Sequence, residues 1–125
     1  MRVVAIIQAR MRSARLPGKV MADIEGHPML VRVVNRAAQA RTLDEIVIAT
    51  TAKTEDDIIV DVCTRSGWPS FRGSENDVLD RFYQAAKRYG AEAVVRITSD
   101  CPFIEPEVID RVVRTLLDEA PDYVS

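Results

Sequence analysis

Residues 3–7, Val-Val-Ala-Ile-Ile, form an unbroken apolar run near the front of the chain. The run is far too short to cross a membrane and has the length of a buried strand, so residues 2–8 read as one. Three further β-rich runs follow: IVIAT at 46–50, PSFR at 69–72 and AVVRIT at 93–98. The stretches between them have helical spacing. Residues 29–40 place Leu30, Val33, Val34, Ala37 and Ala38 on one face. Thr54 followed by Asp57 predicts a helix start, with Glu55 and Asp56 at its positive end. That helix is expected to bury Ile58, Ile59, Val62 and Cys63 and to stop near Gly67. Ser74 is expected to cap a helix running to about Tyr89, with Gly90 as its stop. Pro106 opens a last helix with Val108, Ile109, Val112, Val113, Leu116 and Leu117 on one face. Strands alternating with helices predict an α/β domain of right-handed βαβ units around a mostly parallel sheet.

A chain of 125 residues suffices for one domain with a real core, and 47% hydrophobic with 29% charged residues is the composition of a globular protein. The formal net charge of −2 and pI near 5.4 argue against a nucleic-acid partner. No apolar run has membrane-span length and the start lacks a secretory core, so the expectation is a cytoplasmic protein with no membrane partner. Cys63 and Cys101 stand in no metal or redox spacing and read as reduced thiols.

Against this acidic background the segment QARMRSARLPGK at 8–19 carries Arg10, Arg12, Arg15 and Lys19, and no acid precedes Asp23. Positive charge is concentrated where the first buried strand opens into a loop. Arginine offers a fixed fork of donors and lysine a mobile point charge, which suits a polyanion such as a triphosphate. Charge alone favours the reading of a solvated basic loop. The segment has neither the Walker A spacing nor the Gly-x-Gly-x-x-Gly turn, and Gly18 is its one glycine. Phosphate binding here would rely on side chains. Pro17 fixes its own φ and keeps Leu16 out of the helical region, a stiff corner just before Lys19. In parallel α/β sheets ligands bind beyond the carboxyl ends of the strands. The basic loop, Thr50–Thr51, Gly73–Ser74 and Ser99–Asp100 all fall at such ends, which predicts one shared site.

QARMRSARLPGKV, together with RGSENDVLDRF at 72–82 and ITSDCPFIEP at 97–106, resembles the sugar nucleotidyltransferases, above all their cytidylyltransferase branch. The resemblance is strongest to the spore coat polysaccharide biosynthesis protein F group, with the CMP-Kdo and CMP-sialic acid synthetases more distant. It spans essentially all 125 residues. It implies the nucleotide-diphospho-sugar transferase fold, a Rossmann-like three-layer sandwich. It also implies transfer of a nucleotidyl group from a nucleoside triphosphate, CTP favoured, to a sugar or sugar acid, with pyrophosphate released and Mg²⁺ as cofactor. Arg10, Arg15 and Lys19 match the triphosphate positions, with Arg10 and Lys19 in the catalytic role. Ala9, Ser13, Thr51, Gly73 and Ser74 complete the nucleotide-binding set. Asp100, in a Ser-Asp-x-Pro context, matches the metal-binding aspartate; without the resemblance, a turn or helix-cap role is the better reading. Cytosine preference comes only from the resemblance, as does the expectation of a homo-oligomer.

Relatives of this group are longer, so residues 1–125 are read as the N-terminal part of a longer family domain. On that reading the acceptor contacts and a second metal ligand lie elsewhere, turnover by the chain itself is weak, and an open sheet edge favours self-association. Two alternatives stay open: a glycosyltransferase of related fold, against which the absence of an Asp-x-Asp signal speaks, and a non-catalytic nucleotide-binding or assembly module. Asp77 and Arg81, four apart, suit a surface ion pair. Arg12 reads as solvent-facing, His27 as a turn residue, Trp68 as packing and Cys63 as core.

Overall fold

The computed structural model describes residues 2–11, 23–24, 27–98 and 105–119. β1 (Val3–Gln8) leads towards a short antiparallel pair, β2 (Asp23–Ile24) and β3 (His27–Pro28), and then α1 (Met29–Ala37). β4 (Glu45–Thr51) is followed by a 3₁₀ turn at Thr54–Asp56 and α2 (Asp57–Ser66). β5 (Ser70–Gly73), α3 (Val78–Arg88), β6 (Ala93–Thr98) and α4 (Pro106–Glu119) complete the order. The four long-range strands form one parallel sheet in the order β5-β4-β1-β6. Register is set by Ile6 lying opposite Val47 on one side and Arg96 on the other, and by Ala49 opposite Phe71.

The apolar run explains the central position of β1. Val3, Ala5 and Ile7 pack with residues of α1, α2 and α4, whereas Val4 and Ile6 pack with Ala85 of α3. A strand covered on both faces has no polar face to show, so its sequence does not alternate. Residues Val3–Ile7 are all at most 2% exposed. The result is the predicted three-layer α/β/α arrangement. A truncation such as Ile6→Ala at the centre of this run is expected to cost about 2–5 kcal/mol through lost burial and a residual cavity.

Helix ends follow the sequence signals with some shifts. α2 stops at Gly67, whose φ of +77° would strain any other residue; its N–H reaches the Thr64 carbonyl at 3.3 Å and the Trp68 N–H reaches Cys63 at 2.9 Å. Trp68 packs on the core as expected. The Thr54 signal opens the 3₁₀ turn rather than α2 itself. With α2 starting at Asp57, Ile59, Val62 and Cys63 fall on the buried stripe and Ile58 is turned out to 43% exposure. Val108 is likewise 42% exposed beside buried Ile109 and Val113. The side chains of Leu116 and Leu117 lie outside the described ones. α1 ends three residues early, at Ala37; Ala38 is exposed and Ala40 is buried instead.

Ser74 does not cap α3. Asp77 does, accepting from the Asp80 N–H at 2.9 Å, and the Ser74 hydroxyl accepts from the Asp77 N–H at 3.1 Å. The helix therefore begins four residues after Ser74, which leaves 74–77 as a loop at the sheet's carboxyl edge. Opposite, α4 clasps the α1–β4 connection through Asp110. Its carboxylate accepts from the Arg41 N–H at 3.0 Å, the Thr42 N–H at 2.9 Å and the Thr42 hydroxyl at 2.6 Å. Burial opposes the charge on Asp110, but these donors and nearby Arg114 outweigh it and hold the carboxyl below its ordinary pKa.

Candidate functional site

The chain winds outward from β1 through β4 to β5 and then crosses back to β6 on the other side of β1, so the switch point of the sheet lies between the carboxyl ends of β1 and β6. There Gln8 lies opposite Ala49 and Thr98. Ala9 continues the ladder one step further, its N–H bonded to the Ala49 carbonyl at 2.9 Å, and it is 1% exposed. This fixes the direction in which Arg10 leaves the sheet. Thr51 and Gly73 end β4 and β5 directly opposite each other. Thus Ala9, Arg10, Thr51, Gly73 and Ser74 meet along one edge, as the sequence predicts. Ser13, Arg15, Lys19 and Asp100 lie outside the described residues; Asp100 follows the end of β6 by two positions.

The edge is cross-tied by residues that sequence reasoning left without a site role. Asp56, 1% exposed, accepts from the Met11 N–H at 2.7 Å through Oδ1 and from the Thr51 hydroxyl through Oδ2. Its carboxylate therefore anchors the first residues of the basic loop to the end of β4, a role the helix-dipole reading did not contain. Arg72 holds the next segment with all three nitrogens: Nε to the Thr51 carbonyl at 2.8 Å, Nη1 to Asp57 at 2.7 Å and Nη2 to the Lys53 carbonyl at 2.6 Å. Glu75 stands between two cations, 3.1 Å from Lys53 Nζ and 3.7 Å from Arg10 Nη2.

Arg81 corrects the expectation of a surface ion pair. Asp77 serves as the α3 cap, and Arg81 is fully buried, donating from Nη1 to the Ser74 carbonyl at 2.6 Å. Gly73 lies directly against it: a Cβ there would come within 3.0 Å of both Arg81 Cγ and Phe71 Cε2. Glycine is needed at this position because the arginine stem occupies the space. Burial, and then the charge of Arg10, lower the pKa of Arg81, while Asp56 works in the opposite direction. One sequence signal was available: Arg81 shares the buried stripe of α3 with Ala85, four residues on, where an apolar residue is the ordinary choice.

The cytidylyltransferase family matches residues 4–125. This chain belongs to the cytidylyltransferase family. An uncharacterised protein of Methanocaldococcus jannaschii is 46% identical over 125 residues, covering all of this chain and 51% of that protein. The spore coat polysaccharide biosynthesis protein SpsF of Bacillus subtilis is 39% identical, across 97% of this chain and 52% of that one. Among solved structures, a cytidylyltransferase from Leptospira borgpetersenii superposes with a TM-score of 0.90 at 36% identity, over 94% of this chain and 50% of that chain. A CMP:2-keto-3-deoxy-manno-octonic acid synthetase complexed with CTP gives a TM-score of 0.83 at 26% identity, over 96% of this chain and 49% of that one. The chain spans about half the length of the curated relatives it matches. The cytidylyltransferase fold thus confirms the parallel sheet and helix layers expected from sequence. At its carboxyl edge residues 8–11 of the first motif approach residues 72–75 of the second.

Proposed function

We propose that the protein carries out, or contributes the nucleotide half of, cytidylyl transfer from CTP to a sugar or sugar acid in surface polysaccharide biosynthesis. The carrying observation is the match to cytidylyltransferases over residues 4–125, a range that includes the basic segment 8–19 and Ser99-Asp100. In the proposed reaction an acceptor oxygen bonds to the α-phosphorus of CTP and the bond to the bridging α–β oxygen breaks, releasing pyrophosphate. Such chemistry is mostly positioning and charge neutralisation.

Arg10, Arg15 and Lys19 hold the triphosphate, with Arg10 and Lys19 nearest the reacting phosphorus and Ser13 donating to a phosphate. Ala9, Thr51, Gly73 and Ser74 face the nucleoside. The rigid take-off of Arg10 from the paired Ala9 supports that role, since a fixed guanidinium loses less entropy on binding. Among the described residues no group of three or more His, Cys, Asp or Glu side chains could hold a metal. Mg²⁺ does not need one: it keeps several waters and takes one or two carboxylates plus phosphate oxygens, a part assigned to Asp100. When bound, it would offset charge on the phosphates. A homo-oligomer and a sugar-acid acceptor belong to the same proposal; a relative from Geobacter sulfurreducens, 39% identical over 120 residues, is a 3-deoxy-manno-octulosonate cytidylyltransferase.

The test is a calorimetric titration with CTP, UTP and a CDP-sugar in the presence of Mg²⁺. Preference for CTP is expected. Tighter binding of the CDP-sugar would favour glycosyltransferase chemistry, and indifference to all three would sink the reading.

A further inference from the structure

We propose that Arg10 and Arg81 form a two-arginine oxyanion site, in which Arg81 is the buried member and Arg10 the member open to solvent. The inference rests on the triphosphate reading of Arg10 and adds a binding residue that no motif assigns. A guanidinium has five N–H donors. Arg81 is 0% exposed, and only Nη1 finds an acceptor, Ser74; Nε and Nη2 have none among the described residues. These two nitrogens share one edge of the guanidinium, the fork that matches two oxygens of a phosphoryl group. Arg10 is 24% exposed at its side chain, and its Nε is also buried without a partner.

Nearby carboxylates do not complete the pair. Among the described residues Asp56 accepts from Met11 and Thr51 and makes no hydrogen bond to Arg81, acting on it only through its charge. Glu75 lies 3.7 Å from Arg10 and is drawn towards Lys53 at 3.1 Å. Among the described residues the edge therefore has more buried cationic donors than acceptors, an arrangement that favours entry of an oxyanion. A strut for the Ser74 carbonyl would need one donor, not a charged fork. The ligand class is a phosphoryl oxyanion, and the terminal phosphates of a nucleoside triphosphate supply it.

Inorganic tripolyphosphate is the probe, titrated by calorimetry against the parent chain, Arg10→Ala, Arg81→Lys and Arg81→Met, with cytidine as an uncharged control. Arg81→Lys keeps the charge but loses the fork, so its affinity for tripolyphosphate should fall about tenfold or more. Cytidine binding should fall much less than tripolyphosphate binding, by no more than the loss of the Arg81–Ser74 support implies. Parent-like affinity in Arg81→Lys, with Arg10→Ala impaired, overturns the Arg81 assignment and leaves the triphosphate reading standing. Parent-like affinity in Arg10→Ala as well overturns both. Loss of cytidine rather than tripolyphosphate would mean that the fork reads a base edge, and the oxyanion assignment falls. If the Arg81 variants do not fold, the Arg81 Nε–H resonance of the parent decides: it should shift on adding tripolyphosphate, and no shift overturns the proposal.

Discussion

Replacing Asp56 by Ala tests the central tie of the site edge. The substitution removes one acceptor shared by two donors: the Met11 N–H at 2.7 Å and the Thr51 hydroxyl. Asp56 and Thr51 are at most 1% exposed, so neither water nor a neighbour easily replaces the lost bond. A hydrogen bond to a charged group contributes about 1.5–3 kcal/mol, and the Met11 bond is only partly buried; the expected loss is therefore about 3 kcal/mol. Removing the carboxylate also leaves the mutual repulsion of Arg10 and Arg81 less opposed. Against a domain stability of about 5–15 kcal/mol such a loss is large. Asp56→Asn keeps one acceptor and should lose about half as much. Urea unfolding measures both, and a cycle with Thr51→Val isolates the hydroxyl bond, with an expected coupling of about 1–2 kcal/mol. A loss below about 0.5 kcal/mol in Asp56→Ala, the level of an ordinary surface change, would refute the anchoring role.

Lys19→Ala should weaken CTP binding by about 1.5–3 kcal/mol as a charge-assisted contact is lost, whereas Arg12→Ala should matter much less; calorimetry compares the two. Asp100→Asn should weaken Mg²⁺-dependent CTP binding while circular dichroism stays unchanged, and unfolding or parent-like binding would make Asp100 a turn residue. Burial pushes the Cys63 thiol up to about 11, which favours the neutral form only in the folded state. Its contribution should be intact below the ordinary thiol pKa and lost as pH rises towards about 11, by about 2–3 kcal/mol relative to Cys63→Ala in parallel urea titrations. Arg72→Lys keeps the charge but cannot reach Thr51, Lys53 and Asp57 together, so the melting temperature should fall by several degrees, about 1–2 kcal/mol.

The layer order was legible because it rests on short-range patterns. An apolar run without alternation, amphipathic stripes and Gly67 each report their own surroundings. Of the strand ends named from sequence, those at Ala9–Arg10, Thr51 and Gly73–Ser74 do lie along one edge. Misread positions were those decided by a partner distant in sequence. Ile58 faces outward because the Thr54 signal opens a 3₁₀ turn and α2 takes its phase from Asp57; Val108 lies at the margin of the α4 stripe centred on Ile109 and Val113. Asp56 looked like a dipole-compensating acid because its partner Met11 is 45 residues away. Arg81 and Asp77 looked like a surface pair because helical spacing says which residues are neighbours but not which side is buried. Ser74 was the expected cap, and the loop path after β5 gives that role to Asp77 instead.

The place of β1 between β4 and β6 has a consequence for how the chain acquires its structure. Val3 pairs with Ala93, so the first strand to be synthesised stays half-paired until the last one appears. Arg2 likewise waits for Glu92 and Tyr89 at the far end of that interval. At about 5–20 residues per second, translation leaves this most apolar strand with an open edge for roughly 5–20 s. During that time α1 and β4 can shield its faces and one edge, but not the other. Contacts of such long sequence separation slow folding in any setting. The nascent chain is therefore most aggregation-prone in the interval before β6 emerges, and slower decoding after β4 would lengthen the exposure.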